Sequence, residues 1–284
     1  SGFTLVGGLL FHQWGWSEYA SDALYIVYYQ MKPAPFPFFI VNTDGGSDPA
    51  QLVATDATLT GLDCSPDGRT LAFVTDSARL YVVNQAGALY DRALDHAYPS
   101  LSVANNGTVA LFNLGAAPSD YDVLLVDAAH TLPLTPPDRR QYISVEPSSP
   151  GTLLWHRTNA YGLEVTSLTD AVIGSFSEVI FPKWLASEQV MTFGDIASSP
   201  QTRVLVDTGA QKSVRLSSAI LSGVFSPDGT KRTVNRVEPG TVTVQIVITD
   251  PFTDDHPRQL THNSRGIYSP VCFLTFRPEM LIAS

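Results

Sequence analysis

The pentapeptides Cys64-Ser65-Pro66-Asp67-Gly68 and Phe225-Ser226-Pro227-Asp228-Gly229 are near-copies of one turn, and each stands between two short apolar runs. Proline fixes φ, the aspartate side chain caps the turn, and glycine accepts the positive φ that reverses the chain, so each copy marks an antiparallel hairpin. One hairpin device recurring far along the chain implies repeated units. With the apolar residue before the turn as a ruler, equivalent positions fall at Trp16, Cys64, Val103, Val145, Trp184, Phe225 and Cys272, a period of roughly forty residues, as in blade-type repeats.

Within each period the same pattern returns. A strand follows the turn, as in Leu71 to Val74, Val109 to Phe112, Leu153 to Trp155 and Val190 to Phe193. A second strand ends on a polar stop, as in Tyr81-Val82-Val83-Asn84, Leu124-Leu125-Val126-Asp127 and Val204-Leu205-Val206-Asp207. A weaker strand closes the unit, as in Gln51-Leu52-Val53 and Ser213-Val214-Arg215-Leu216. Four short strands per unit make a propeller blade, and no stretch carries the three-and-four apolar spacing of a helix. The reading is one all-β domain over residues 1–284, a β-propeller of four-stranded antiparallel blades. Seven marks predict seven blades, with inner strands near 11–17, 59–65, 99–104, 141–146, 179–185, 219–226 and 266–273, and an N-terminal strand at 3–10 closing the last blade. The alternative is six blades, with 1–16 an extension and Gly266 to Phe273 completing the first blade.

Ser-Pro-Asp-Gly followed by the strand Arg69-Thr70-Leu71-Ala72-Phe73 resembles the repeat of TolB-type, WD40-like (PD40) propellers, and the resemblance spans essentially the whole chain. Asn105-Asn106-Gly107 and Pro147-Ser148-Ser149-Pro150-Gly151 read as degenerate forms of the turn, and Ala186-Ser187-Glu188 as a place where it is lost. The resemblance implies a non-catalytic protein–protein interaction scaffold within a larger extracytoplasmic complex. The alternative that the architecture implies is a ligand- or metal-binding propeller enzyme, lactonase-like or lyase-like, with its site at the central channel.

Charge narrows the partners. The net charge is −10 and the lysines are Lys32, Lys183, Lys212 and Lys231, so no basic face exists to neutralise nucleic-acid phosphates. No apolar run approaches the roughly 20 residues that a spanning helix needs. Charged residues are only 15% of the chain, which leaves a surface of neutral polar residues and fits a periplasmic or extracellular protein. A start at Ser1 without Met fits removal of a signal segment, and the apolar end Leu281-Ile282-Ala283-Ser284 suggests that the native chain continues.

Chemistry-bearing motifs are sparse. The string Gly223-Val224-Phe225-Ser226-Pro227 lacks the second glycine of a nucleophile elbow and sits in a repeat turn. The six histidines are scattered over different units and read as loop or surface residues; for a lyase-like site, His12 and His156 lie nearest inner strands. Asp250, Asp254, Asp255 and His256 form the densest polar cluster, but their spacing does not match a calcium loop and they read as solvated. Asn106-Gly107-Thr108 matches a glycosylation acceptor, although the hairpin needs the same residues. Cys64 and Cys272 read as small buried free thiols, because equivalent positions on different blades rarely approach bonding distance. No catalytic residue, metal ligand or cofactor is expected.

The strongest departure from the repeat is the first-unit loop Met31-Lys32-Pro33-Ala34-Pro35-Phe36-Pro37. Proline pre-orders a loop and lowers the entropy cost of docking, and Met and Phe offer apolar contact. Met31, Pro35 and Phe36 are therefore the partner-binding candidates. Leu114 to Tyr121, Arg157 to Gly162, Gly194 to Thr202 and Arg236 to Thr241 join second and third strands and would share that face of the disc, the expected working surface.

Overall fold

The computed structural model describes residues 24–30, 37–44, 48–53, 57–113, 122–134, 142–157, 162–169, 171–197, 202–208, 212–216, 223–228, 230–241, 243–250, 256–262, 267–278 and 281. The first blade contains β1 (Tyr25–Gln30), β2 (Phe38–Asn42) and β3 (Ala50–Leu52), and the second contains β4 (Leu59–Cys64), β5 (Thr70–Thr75), β6 (Arg79–Asn84) and β7 (Gly87–Ala93). The third is β8 (Ser100–Val103), β9 (Val109–Asn113), β10 (Asp122–Val126) and β11 (Thr131–Pro133). The fourth is β12 (Tyr142–Pro147), β13 (Thr152–Arg157), β14 (Leu163–Ser167) and β15 (Val172–Phe176). The fifth is β16 (Val179–Trp184), β17 (Val190–Asp195), β18 (Thr202–Asp207) and β19 (Lys212–Leu216), and the sixth contains β20 (Arg232–Val237), β21 (Val244–Thr249) and β22 (Arg258–Gln259).

The described residues form six antiparallel sheets, not seven, and this corrects the seven-bladed expectation. The reason lies in β23 (Tyr268–Leu274). It is not the start of another blade but the innermost strand of the first, in the order β23-β1-β2-β3, with Ile26 paired to Phe273 and Val27 to Cys272. The last ruler mark therefore belongs to the first blade, and there it is one residue out: Ile26 pairs with Val41 and Phe273 as Leu71 pairs with Val83 and Cys64, so Phe273 is the equivalent residue. The strand proposed at 3–10 and the mark at Trp16 lie outside the described residues. The ruler is also two residues out in the fourth blade. Pro147 pairs with Leu153 as Cys64 pairs with Leu71, and Ser148 N–H closes the turn onto Thr152 O as Ser65 N–H does onto Thr70 O, so Pro147 is the equivalent residue rather than Val145.

The turns form by the chemistry their residues supply. Ser65 Oγ donates to Asp67 Oδ1 at 2.5 Å, and the same oxygen accepts Arg69 N–H at 3.0 Å. The second copy repeats this, with Ser226 Oγ to Asp228 Oδ1 at 2.6 Å and Thr230 N–H to the same oxygen at 3.0 Å. The strand after the turn is sandwiched between neighbouring blades, so β5 and β17 are buried at every residue. Core clusters therefore lie between blades; Ala72, Val74, Leu80 and Val82 of the second pack on Leu101, Val103, Val109 and Leu111 of the third. Each such Val or Leu contributes about 1.5–3 kcal/mol when removed from water.

Ring closure joins the two ends of the described chain in three ways. One is the β23–β1 ladder. Another is the segment after β23, where Thr275 N–H donates to Gly68 O at 2.9 Å, Val53 N–H to Leu281 O at 2.6 Å, and Phe276 and Leu281 are buried against Leu52, Leu59 and Leu71. The last is a disulfide between Cys64 and Cys272, with Cα atoms 5.7 Å apart, which corrects the free-thiol expectation. In a ring of six, β23 and β4 are the inner strands of neighbouring blades, and inner strands converge on the axis.

Candidate functional site at the central channel

The residue preceding the ruler position is Asp63 on β4, Ser102 on β8, Glu146 on β12 and Lys183 on β16. Four successive inner strands thus bring one polar residue each to a common level. All four line a cavity of about 90 Å3, together with Cys64, Cys272, Trp184, Thr192 and Phe225. Ser102 Oγ donates to Val145 O. Lys183 Nζ lies 2.9 Å from Glu146 Oε1 and 3.8 Å from Asp63 Oδ2.

Both carboxyl groups are buried, and burial pushes both above the usual carboxylate range. The Lys183 charge opposes this at each, helped at Asp63 by the N–H groups of Cys64 and Val103, while at Glu146 the charge of Asp63 adds to the rise. At Lys183 burial works downward, but Asp63 and Glu146 together outweigh it, so the ammonium is held above its ordinary value. The lysine side chain keeps 51% of its surface accessible to water in the lumen although protein walls surround it. An ammonium held this firmly is not a neutral amine nucleophile near pH 7. The arrangement is a counter-ion site with two carboxylates to one ammonium, able to hold a small polar guest by hydrogen bonding.

One end of the channel is drawn together by the turns. A Cβ on Gly68 would lie 2.8 Å from Pro227 Cγ, so the turns of the second and sixth blades touch although the first blade stands between them. Asn105 of the third blade reaches past the fourth to the fifth, its Nδ2 donating to Ala186 O at 2.7 Å and its N–H to Glu188 Oε1 at 2.6 Å. Glu188 Oε2 accepts Ser149 N–H at 2.8 Å, Asn106 N–H donates to Ser149 Oγ at 2.9 Å, and Asp67 N–H donates to Asn105 Oδ1 at 3.0 Å. A belt of hydrogen bonds thus links the turns of blades two to five. Its hub is Glu188, at φ 53° in the place the motif gives to glycine. The turn itself survives, with Leu185 N–H on Val190 O and Glu188 N–H on Leu185 O. Burial raises the Glu188 carboxyl, against the hydrogen bonds from Ser149 and Asn105.

Met31, Pro35, Phe36, His12, Asp254 and Asp255 lie outside the described residues, so the structure brings none of them to a site. The base of the proline-rich loop is pinned by Gln30 N–H on Pro37 O at 3.2 Å. His156 is buried on β13 with Nε2 3.0 Å from Val179 O, and burial lowers its pKa; it packs the fourth blade against the fifth rather than facing a ligand. His256 Nδ1 and Asp250 Oδ2 meet at 2.9 Å on the exposed surface. The side chain of Asn106 caps its own turn by accepting Thr108 N–H at 2.9 Å. Among the described residues no group of three or more His, Cys, Asp or Glu could hold a metal, and no helix is long and apolar enough to cross a membrane. Sequence reasoning missed Lys183, Glu146 and Glu188; the available signals were polar residues on inner strands and an acid standing where glycine belongs.

No family model matches this sequence, and no curated protein matches it. Similar folds exist among solved structures. TolB from Acinetobacter baumannii superposes with a TM-score of 0.58 at 13% identity, over 94% of this chain and 71% of that one. The Cps50 (Swd1) β-propeller domain of Myceliophteria thermophila gives 0.47 at 11% identity, over 81% and 82% of the two chains. The RRP9 WD40 repeats give 0.42 at 10%, over 72% and 66%. The fold is a β-propeller, similar to that of TolB. At such low identity the likeness defines the architecture and leaves function to the site.

Proposed function

We propose that the protein is a non-catalytic interaction scaffold of an extracytoplasmic assembly, periplasmic or extracellular, that presents a rigid disc to other proteins. The observation that carries this reading is the way the channel groups satisfy one another: Lys183 is held by Glu146 and Asp63, and the turns of the second and sixth blades meet past the first. A disulfide at the ring closure supports an oxidising compartment. The net charge of −10 supports protein rather than nucleic-acid partners. Partner contact falls on the proline-rich loop through Met31, Pro35 and Phe36, whose ends the β1–β2 hairpin holds together. Affinity purification from the native source under mild detergent, followed by mass spectrometry, tests it. Stoichiometric partners that are lost with Met31→Ala and Phe36→Ala support the scaffold and its loop; a protein that purifies alone counts against both.

One observation favours a second reading, a ligand-binding propeller. Three ionisable side chains from three blades converge on a cavity of about 90 Å3. A thermal-shift screen of small polar compounds and lactones, with Lys183→Met as control, tests it; a shift abolished in the variant would favour a ligand site over a purely structural ion pair.

A further inference from the structure

Among the described residues the outer strands of the disc are sheet edges, and a long, flat, uncharged edge is a template for pairing unless it is shortened, bulged, charged or interrupted by proline. Five of the six outer strands are protected by shortness, charge or proline. β3 has three residues and β22 two, β11 has three and ends in Pro133, β7 carries Asp91 and Arg92, and β19 carries Lys212 and Arg215 in its sequence. The sixth, β15, is Val-Ile-Gly-Ser-Phe without a charge.

Three of the seven exposed large apolar side chains among the described residues sit on β15 or the turn before it: Leu168 at 41%, Val172 at 59% and Ile173 at 51%. Adjacent strand residues ordinarily point to opposite faces. Here the ladder with β14 shifts register between Val165 and Thr166, leaving Ile173 as the extra residue, and a bulge of this kind re-aims a side chain. Beyond it the ladder is regular at Gly174, Ser175 and Phe176, and Phe176 anchors the strand by packing 5.2 Å from Phe193 of the next blade. The result is a short regular edge beside an outward apolar pair.

We infer that β15 is a docking edge for an extended, uncharged, β-branched-rich segment of another protein, which adds to the fourth blade as a further strand. Size and charge select this occupant over a second copy of the chain. Five residues span about 17 Å, and pairing along that length buries on the order of 300–400 Å2 per side, well under the roughly 800 Å2 per partner of a stable folded interface. Two whole discs would also each bring a charge of −10, whereas a flexible segment brings backbone donors and acceptors with little charge. The edge belongs to the fourth blade, whereas the proline-rich segment joins β1 to β2 of the first, so this inference stands or falls separately from the scaffold reading.

The test is selection of a displayed library of random heptapeptides on the intact oxidised protein, followed by affinity measurement against Val172→Lys and Ile173→Lys. Both side chains are more than half exposed, so both variants keep the fold, which circular dichroism and melting confirm. The expected result is enrichment of uncharged peptides with alternating β-branched residues, bound at least tenfold more weakly by either variant and equally well at low and high salt. Enriched peptides that ignore both substitutions, or that are basic and salt-sensitive, overturn the inference while leaving a scaffold that uses another face. Absence of enrichment overturns it, as does self-association of the protein that either lysine abolishes, which would give the edge to a second copy.

Discussion

Cys64 and Cys272, separated by 208 positions in sequence, are bonded to each other across the inner strands of neighbouring blades. The bond ties β23 to β4 independently of the ladder that ties β23 to β1. Opening of that ladder alone therefore leaves the last strand tethered.

Cys64→Ser with Cys272→Ser is expected to lower stability. For a closed loop of this length the chain-entropy estimate is about 5 kcal/mol, an upper figure because engineered and native bridges commonly deliver less. Since the ladder and the buried Phe276 and Leu281 remain, the variant still unfolds cooperatively. Urea melts of oxidised, reduced and double-serine protein test this; identical midpoints would show that the bridge contributes nothing to stability.

Glu188→Ala is expected to cost about 2–4 kcal/mol, since two backbone N–H groups lose a charged acceptor. Glu188→Gly relieves the positive φ, worth about 1 kcal/mol, and loses the same acceptor. It should fall between the parent and the alanine variant. Chemical denaturation of the three proteins decides, and a glycine variant as stable as the parent would show that the belt is energetically idle.

Lys183→Met removes the only ammonium beside Asp63 and Glu146 among the described residues. Breaking a buried pair typically costs 3–5 kcal/mol; because channel water screens Lys183, about 1–2 kcal/mol is expected here. The loss should grow with pH. Asp63, Glu146 and Glu188 all have folded pKa values raised above their ordinary ones. Their stabilising contribution is thus complete below the ordinary carboxylate range and is lost as pH rises through the raised values. Stability measured from pH 4 upward should fall more steeply in Lys183→Met than in the parent, and less steeply in Glu146→Gln. Parallel curves would refute the assignment.

Gly68→Ala should destabilise by about 1–3 kcal/mol, because φ is +69° and the new Cβ would meet Pro227 Cγ at 2.8 Å and Phe273 O at 3.0 Å. Gly240→Ala has a similar φ of +76° but nothing within 4 Å, and should cost about 1 kcal/mol or less. Equal melting points for the two would remove the steric part of the argument.

The hairpins were legible because their chemistry is local: serine, proline, aspartate and glycine build the turn within five residues, and the strands on either side announce themselves by their apolar runs. The number of blades was not, because the partner of Cys272 is Val27, almost a chain length away, and no local pattern records which edge a terminal strand will meet. The channel cluster was hidden by a smaller error. With Val145 rather than Pro147 as the ruler, Glu146 does not fall in line with Asp63 and Lys183, and three residues at one level look unrelated. Glu188 was visible as a missing glycine, but its effect depends on Asn105 and Ser149 from other blades. The disulfide followed from the blade count, since only a six-membered ring sets Cys64 and Cys272 on adjacent inner strands.

The placement of β23 also orders events in time. The first blade emerges from the ribosome lacking its innermost strand, and β1 must wait with one edge open while five further blades are made. Only when residues 268–274 arrive can the disc shut, and only then can Cys64 find its sulfur partner. A nascent chain stalled short of that point would carry an open seam and an unpaired thiol, two marks by which folding machinery could tell it from a finished molecule.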